Sequence, residues 1–376
     1  LRQARQAYPA RDWPTVAVRF ESVPIFQLSA VDLHGYFEAL WYLGRSGDVV
    51  RIGAAAYDAL LADSRSDEAV RVALLLALTL RFVVGEPQAF GWVSRAGRVS
   101  EEIPDDSAHG FFLFITKVLM NLHGGGEPTA ALDAARRVLD IGRRFNDPLL
   151  VANALYGEGH AMIRLGKVTD GLMRLDETMI GVLDGRVASM WPGASMWSGA
   201  SMWSGALYCS TIVACHKVGD VRRMTRWTEL AEQWLATQSA AFWHDGMCRI
   251  YRAELQLMEG EWDEAEPGAQ RVATDFDGNQ IPYAAEAWYV VGEVRRLRGD
   301  PSAAEAYHEA HARGRDPQPG RALLLLQQGD AAGAATSIRS AIAAAGDDPL
   351  RRAPICAAAV DIAVAAATGG RRSCRV

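Results

Sequence analysis

The chain has almost no lysine. Of its 39 basic residues only Lys117, Lys167 and Lys217 are lysines, and 45 acidic residues bring the net charge to −6. A surface that grips nucleic acid carries a basic excess, so direct contact with DNA or RNA is not expected of this chain. Cysteine is also sparse: Cys209, Cys215, Cys248, Cys356 and Cys374 are odd in number, scattered, and never in a CxxC arrangement. That usage offers no disulfide framework and suits reduced cysteines in the core of a cytoplasmic protein. No apolar run reaches the ~18 residues that a membrane span requires; the longest, residues 72–84, is broken by Arg81. Sustained period-two alternation and Asn-Gly hairpin turns are missing, which argues against β-sheet.

Signatures of catalysis are missing too. The stretch from Gly159 to Gly166-Lys167 has the wrong spacing for a phosphate-binding loop, and Val168 stands where Ser or Thr is needed. Gly157-Glu158-Gly159 lacks the third glycine of a dinucleotide fingerprint. Neither HExxH nor GxSxG occurs. His308 and His311 share one helix face, but a metal needs a third ligand, and a solvated surface pair is the expectation. Cys215 and His216 are neighbours in sequence, and neighbours on a helix point apart; a buried core cysteine is expected there, not a nucleophile with its base. Asp48, Glu86, Glu127, Asp220, Glu261, Asp300 and Asp330 stand at repeat starts. Helix capping explains them there, and a glycosidase-like carboxylate pair has no support. The expectation is a non-catalytic chain without cofactor or metal.

What the sequence does have is a period. An apolar helix ends in glycine, an acidic or polar residue follows, and an Ala-rich amphipathic helix begins. The glycines are Gly47, Gly85, Gly126, Gly166, Gly219, Gly260, Gly299 and Gly329, at steps of 38, 41, 40, 53, 41, 39 and 30 residues. Glycine ends helices because it enters the left-handed conformation at low cost. The segment Ala130, Leu132, Ala135, Val138, Leu139 spaces its apolar residues for one buried stripe. A single hairpin cannot bury such a stripe alone, so neighbours must stack. These signals predict an all-α, tetratricopeptide-like α-solenoid over residues 1–376: a right-handed superhelix of eight antiparallel hairpins and a partial ninth.

Two stretches break the pattern. The step of 53 contains three tandem hexads, ASMWPG, ASMWSG and ASMWSG, over residues 188–205. Two surplus copies restore the usual step, so residues 186–205 read as a local expansion within a loop. The functional alternative is an aromatic binding platform of Trp191, Trp197 and Trp203, which would share a face only in an extended chain. At the other end Ala357 opens the first helix of a further hairpin, and residues 369–376 read as an irregular, truncated tail.

Several segments carry a family resemblance: RQAYPARDWPTV, ALWYLGRSGDVVRIGAAAYDALL, LYCSTIVACHKVGDVRRMTRWTELAEQW, CRIYRAELQLMEGEWDEAE and EVRRLRGDPSAAEAYHEAHARGRDPQPGRALLLLQQGD. They resemble the helical-repeat region of actinobacterial LuxR-type transcriptional regulators, similar in architecture to the repeat domain of MalT-like regulators. The resemblance runs from about residue 3 to 367, with RGRDPQPGRALL and LYCS…ACHKVGD its most specific parts. It implies the sensor or partner-binding part of such a regulator, without the DNA-binding module. The implied partner is a protein, a peptide or a small-molecule effector held in the superhelix groove. A general scaffold or adaptor unrelated to transcription is the alternative.

Overall fold

The computed structural model describes residues 1–10, 12–83, 86–102, 107–123, 126–187, 202–237, 242–277 and 281–373. All regular structure among the described residues is helical. Contacts gather into two compact units, Leu1–His216 with Glu229–Asp245 and Lys217–Thr228 with Gly246–Val376.

The first unit begins with the short helices α1 (Arg2–Ala7) and α2 (Trp13–Glu21). Hairpins follow: α3 (Ala30–Tyr42) with α4 (Ser46–Ala62), and α5 (Ser66–Val83) with α6 (Glu86–Glu102). Next, α7 (Ser107–Leu113) passes through a π-helical turn, Phe114–Leu119, into α8 (Met120–His123), and α9 (Pro128–Arg144) returns. The helices α10 (Pro148–Arg164) and α11 (Val168–Leu183) form the next pair, before α12 (Met202–Val218) and α13 (Val221–Leu235), whose residues up to Thr228 are grouped with the second unit. The second unit holds α14 (Phe242–Glu259) with α15 (Trp262–Asp275), and α16 (Ile281–Arg298) with α17 (Ala303–Ala312). It closes with α18 (Gly320–Gln327), α19 (Ala331–Ala345) and the long α20 (Pro349–Ser373).

Consecutive helices lie against each other from α1 to α7, from α9 to α11 and from α15 to α20, and first helices of successive hairpins also touch. In the first unit α5 meets α7 and α7 meets α10; in the second α16 meets α18 and α18 meets α20. This two-way contact is the stacking that defines a tetratricopeptide-like α-solenoid. The stripe on α9 shows the physics. Ala131, Leu132, Ala135, Val138, Leu139 and Gly142 are buried, at the i, i+4, i+7 spacing of one helical face. The sequence-based stripe is corrected at one position: Ala130 is exposed and Ala131 takes its place.

Five junction glycines, Gly166, Gly219, Gly260, Gly299 and Gly329, adopt the left-handed conformation at the end of a first helix, as their spacing predicts. Gly47 does not. It lies inside α4, and Gly44 (φ 67°) makes the turn instead. Gly126 is not left-handed either, and Gly85 lies outside the described residues. Where a second helix hands over to the next first helix, Ser64 and Asn146 adopt positive φ, as do Gly185, Gly314 and Gly346; asparagine tolerates that region better than most residues. The two glycines set aside as a broken dinucleotide fingerprint have a structural use. A Cβ on Gly157 would stand 2.5 Å from Val118, and one on Gly159 would stand 2.9 Å from the carbonyl oxygen of Gly171. They are contact points where α10 meets its neighbours.

The hexad stretch is described only at its edges. Arg186 and Val187 precede it, and α12 starts at Met202, so the last four residues of the third hexad belong to a helix and not to a loop. Ser204 is buried and its Oγ donates to the carbonyl of Val187 at 3.4 Å. The irregular tail is corrected as far as Ser373. Helix α20 continues through Gly369 and Gly370, whose cost of about 1 kcal/mol each relative to alanine weakens a helix without ending it. Residues 374–376 lie outside the described residues.

Candidate functional site

Trp191 and Trp197 lie outside the described residues, and Trp203 stands in the first turn of α12 with its side chain outside them. The proposed aromatic platform is therefore not among the described contacts. Cys209, Cys215 and Cys248 are buried, as a core reading requires. His308 and His311 lie on α17, and among the described residues no group of three His, Cys, Asp or Glu side chains could hold a metal ion.

The acidic residues of the junctions divide into two kinds. Asp220 accepts from the Arg223 amide at 3.0 Å, Asp330 from the Gly333 amide at 2.8 Å, and Asp300 from the Ser302 amide at 2.8 Å. These satisfy donors that a helix start leaves open. Glu127 and Glu261 occupy N-cap positions without a side-chain capping bond. Asp48 lies inside α4 and binds Arg45 and Arg51, at 2.5 Å and 2.8 Å. Capping is thus a property of the aspartates at the turn and not of the whole set. Glu86 opens α6 with its side chain outside the described residues.

One polar cluster of the second unit is not announced by the sequence. Glu254 of α14 is 9% exposed. Burial pushes its carboxyl up to about 8, the charge of Glu286 on α16 adds to the shift, and Arg315, just before α18, opposes it. The Arg315 Nε donates to Glu286 Oε2 at 2.8 Å, and the guanidinium lies 4.2 Å from the centre of the Tyr289 ring, within cation–π range. A second layer follows on α16. Glu293 accepts from the Tyr307 hydroxyl at 2.6 Å and from Arg296 at 2.6 Å. Burial pushes the phenols of Tyr289 and Tyr307 up as well. Gly320, the first residue of α18, has no room for a side chain: a Cβ there would collide with Glu293 and the Tyr307 hydroxyl.

A protonated carboxyl beside a carboxylate is chemistry that acid–base catalysts use. Here the partners are already engaged: Glu286 is bound by Arg315, Arg315 is stacked on Tyr289, and Glu254 is sealed from solvent. The cluster ties α14, α16 and the RGRDPQPG segment of residues 313–320 together. One sequence signal could have found it. Glu254 falls on the same helical stripe as Ile250 and Tyr251, both buried, so an acid sits where an apolar residue is due.

The first unit holds its own deep polar groups. Arg71 of α5 and Asp147 at the start of α10 are 2% and 5% exposed and 3.7 Å apart. Asp147 also accepts from the Leu150 amide at 3.0 Å, and Arg71 lies 5.6 Å from the Phe111 ring centre. His34 and Glu68 are 3.3 Å apart, and burial pulls the His34 imidazole below its ordinary value although Glu68 opposes this.

No family model matches the chain, and no curated protein matches it. Among solved structures, the TPR domain of P58(IPK) aligns with 97% of this chain and 97% of its own, at 11% identity and a TM-score of 0.30.

Proposed function

We propose that this chain is a non-catalytic protein-interaction domain, the partner-binding or sensor part of a LuxR-type transcriptional regulator. The observation behind the interaction reading is the architecture itself. Hairpin follows hairpin, buried polar residues such as Arg71, Asp147 and Glu254 are spent on joining helices, and a stack of this kind offers long helical faces to a partner. The regulator context rests on the resemblance of the segments around LYCS and RGRDPQPG. No helix of the described residues is long and apolar enough to cross a membrane, and a cytoplasmic setting fits the buried cysteines. The partner in this reading is a protein or peptide, with a small effector as the ligand of the sensor form.

The test is affinity capture with the immobilised chain from a lysate of the source cells, read by mass spectrometry and by thermal shift of the chain with the captured protein. A specific partner that raises the melting temperature supports the reading through mass action. Turnover of a captured molecule by the chain alone overturns it. The regulator form requires a helix-turn-helix in the same reading frame; a frame without one leaves the general scaffold.

A further inference from the structure

Helix α11 differs from the second helices α9 and α15 at its solvent face. On α9 that face carries Asp133, Arg136, Arg137 and Asp140, and on α15 it carries Asp263, Glu264, Arg271 and Asp275, all exposed. On α11 the same face carries Met173, Ile180 and Leu183, which are 54%, 55% and 52% exposed. Residues seven apart on a helix lie nearly above one another, and a residue three further on stays on that side. The three side chains therefore form one apolar stripe. Beside it runs an acidic row with the same seven-residue step, Asp170, Glu177 and Asp184. From Val168 to Asp184 the helix and its cap hold four acids, with Asp176 the fourth, against one base, Arg174; Lys167 and Arg186 flank this stretch, and Arg186 is paired with Asp184 at 2.6 Å. Arg174 is turned toward Glu177 and the buried Glu158 of α10.

The orientation of the stripe is fixed from behind. Gly171 and Gly159 bring the backbones of α11 and α10 into contact, since a Cβ on Gly171 would stand 2.6 Å from the Gly159 carbonyl oxygen. Leu172, Leu175 and Met179 are buried on that inner side. The opposite face, with its stripe, is thereby held toward solvent. An apolar stripe at a seven-residue step with charge along its edge is half of a two-helix seam.

We propose that this face of α11 docks a basic amphipathic helix of a partner protein, whose apolar stripe covers Met173, Ile180 and Leu183 and whose Lys or Arg side chains lie along Asp170, Glu177 and Asp184. The inference rests on the interaction reading above and gives that reading one surface and one class of partner. Charge complementarity selects the occupant. A second copy of this chain would bring like charges together at the same seam, which disfavours pairing.

The test uses the whole chain and two labelled synthetic helices about five turns long, with leucine at the seam positions and either lysine or glutamate along the edge. Binding is read by fluorescence anisotropy at low salt. The lysine helix should bind at least about tenfold more tightly than the glutamate helix, and added salt should reduce that preference. M173E/I180E should weaken the lysine helix about tenfold or more. The charge reversal D170K/E177K/D184K should invert the preference. All five positions are at the surface, and an unchanged melting temperature verifies the fold. Equal binding of both helices, or indifference to both variants, overturns the proposal. So does concentration-dependent dimerisation that M173E/I180E abolishes, which would assign the face to a second copy. If M173E/I180E captures the same cellular partner as the wild type, the surface is wrong while the interaction reading stands. A chain that captures no partner but still discriminates the peptides removes the interaction reading and keeps the surface.

Discussion

In the first unit Arg71 and Asp147 meet between α5 and the start of α10, both almost wholly buried. In the second, Glu254 is buried beside Glu286, and Arg315, which opposes the rise in its pKa, is bound to Glu286. The first arrangement joins opposite charges out of water. The second raises an acid's affinity for its proton by burying it beside another carboxylate. Both fix helices of different hairpins, yet they respond to perturbation differently, because a buried pair is vulnerable to losing a member and a buried neutral acid is vulnerable to losing its proton.

The largest expected effect is on the first arrangement. Arg71→Ala leaves Asp147 charged and buried, and should cost about 3–5 kcal/mol in chemical denaturation. The double variant R71M/D147N should recover much of that loss. If R71A costs no more than a surface substitution, the pair contributes nothing and the contrast collapses.

The two units should also differ in the sign of their pH response. For Glu254 the folded carboxyl binds its proton more tightly than its ordinary 4.5, so stability is fully present below that value and is lost as pH rises toward about 8. For His34 the folded imidazole binds a proton less tightly than its ordinary 6.5, so stability is lost as pH falls below that value. Glu254→Gln should remove the alkaline loss. Relative to wild type it should gain on the order of 3 kcal/mol between pH 5 and pH 9, from a shift of this size. Parallel pH profiles for E254Q and wild type would show that Glu254 is not the group responsible.

A smaller effect, about 1–3 kcal/mol from overpacking, is expected for Gly171→Ala, whose new methyl would meet backbone atoms of both Gly159 and Ile163. The Ile163 side chain, 2.6 Å away, would have to shift as well, and the backbone atoms cannot give way as it can. An unchanged melting temperature would mean that α10 and α11 do not approach so closely. Smallest is Asp330→Ala, which removes the bond to the Gly333 amide and should cost about 1 kcal/mol, as loss of an exposed cap does.

The fold was legible because its punctuation is local. Five of the eight junction glycines turn where their spacing placed them, since a left-handed turn after a helix leaves a mark on one residue. Gly47 misled because Asp48 resembled a cap; its carboxylate is instead drawn to Arg45 and Arg51. Gly369 and Gly370 misled because glycine weakens a helix without dictating its end. The cluster at Glu254 was not legible as a cluster, because Glu254, Glu286 and Arg315 come from separate hairpins and their meeting is a product of stacking. The exposed stripe on α11 was hidden for a related reason: only the fold shows which face of the helix α10 covers, and so which side Met173, Ile180 and Leu183 take. Trp191 and Trp197, which the sequence set forward, and the side chain of Trp203 lie outside the described residues.

The central claim is that these hairpins bind a partner and leave it chemically unchanged. The most direct measurement is calorimetric titration of the captured partner against the whole chain, with mass spectrometry of the partner before and after. Expected is saturable binding and a partner of unaltered mass. A partner altered by incubation with the chain, or the absence of any saturable binding, would contradict the claim.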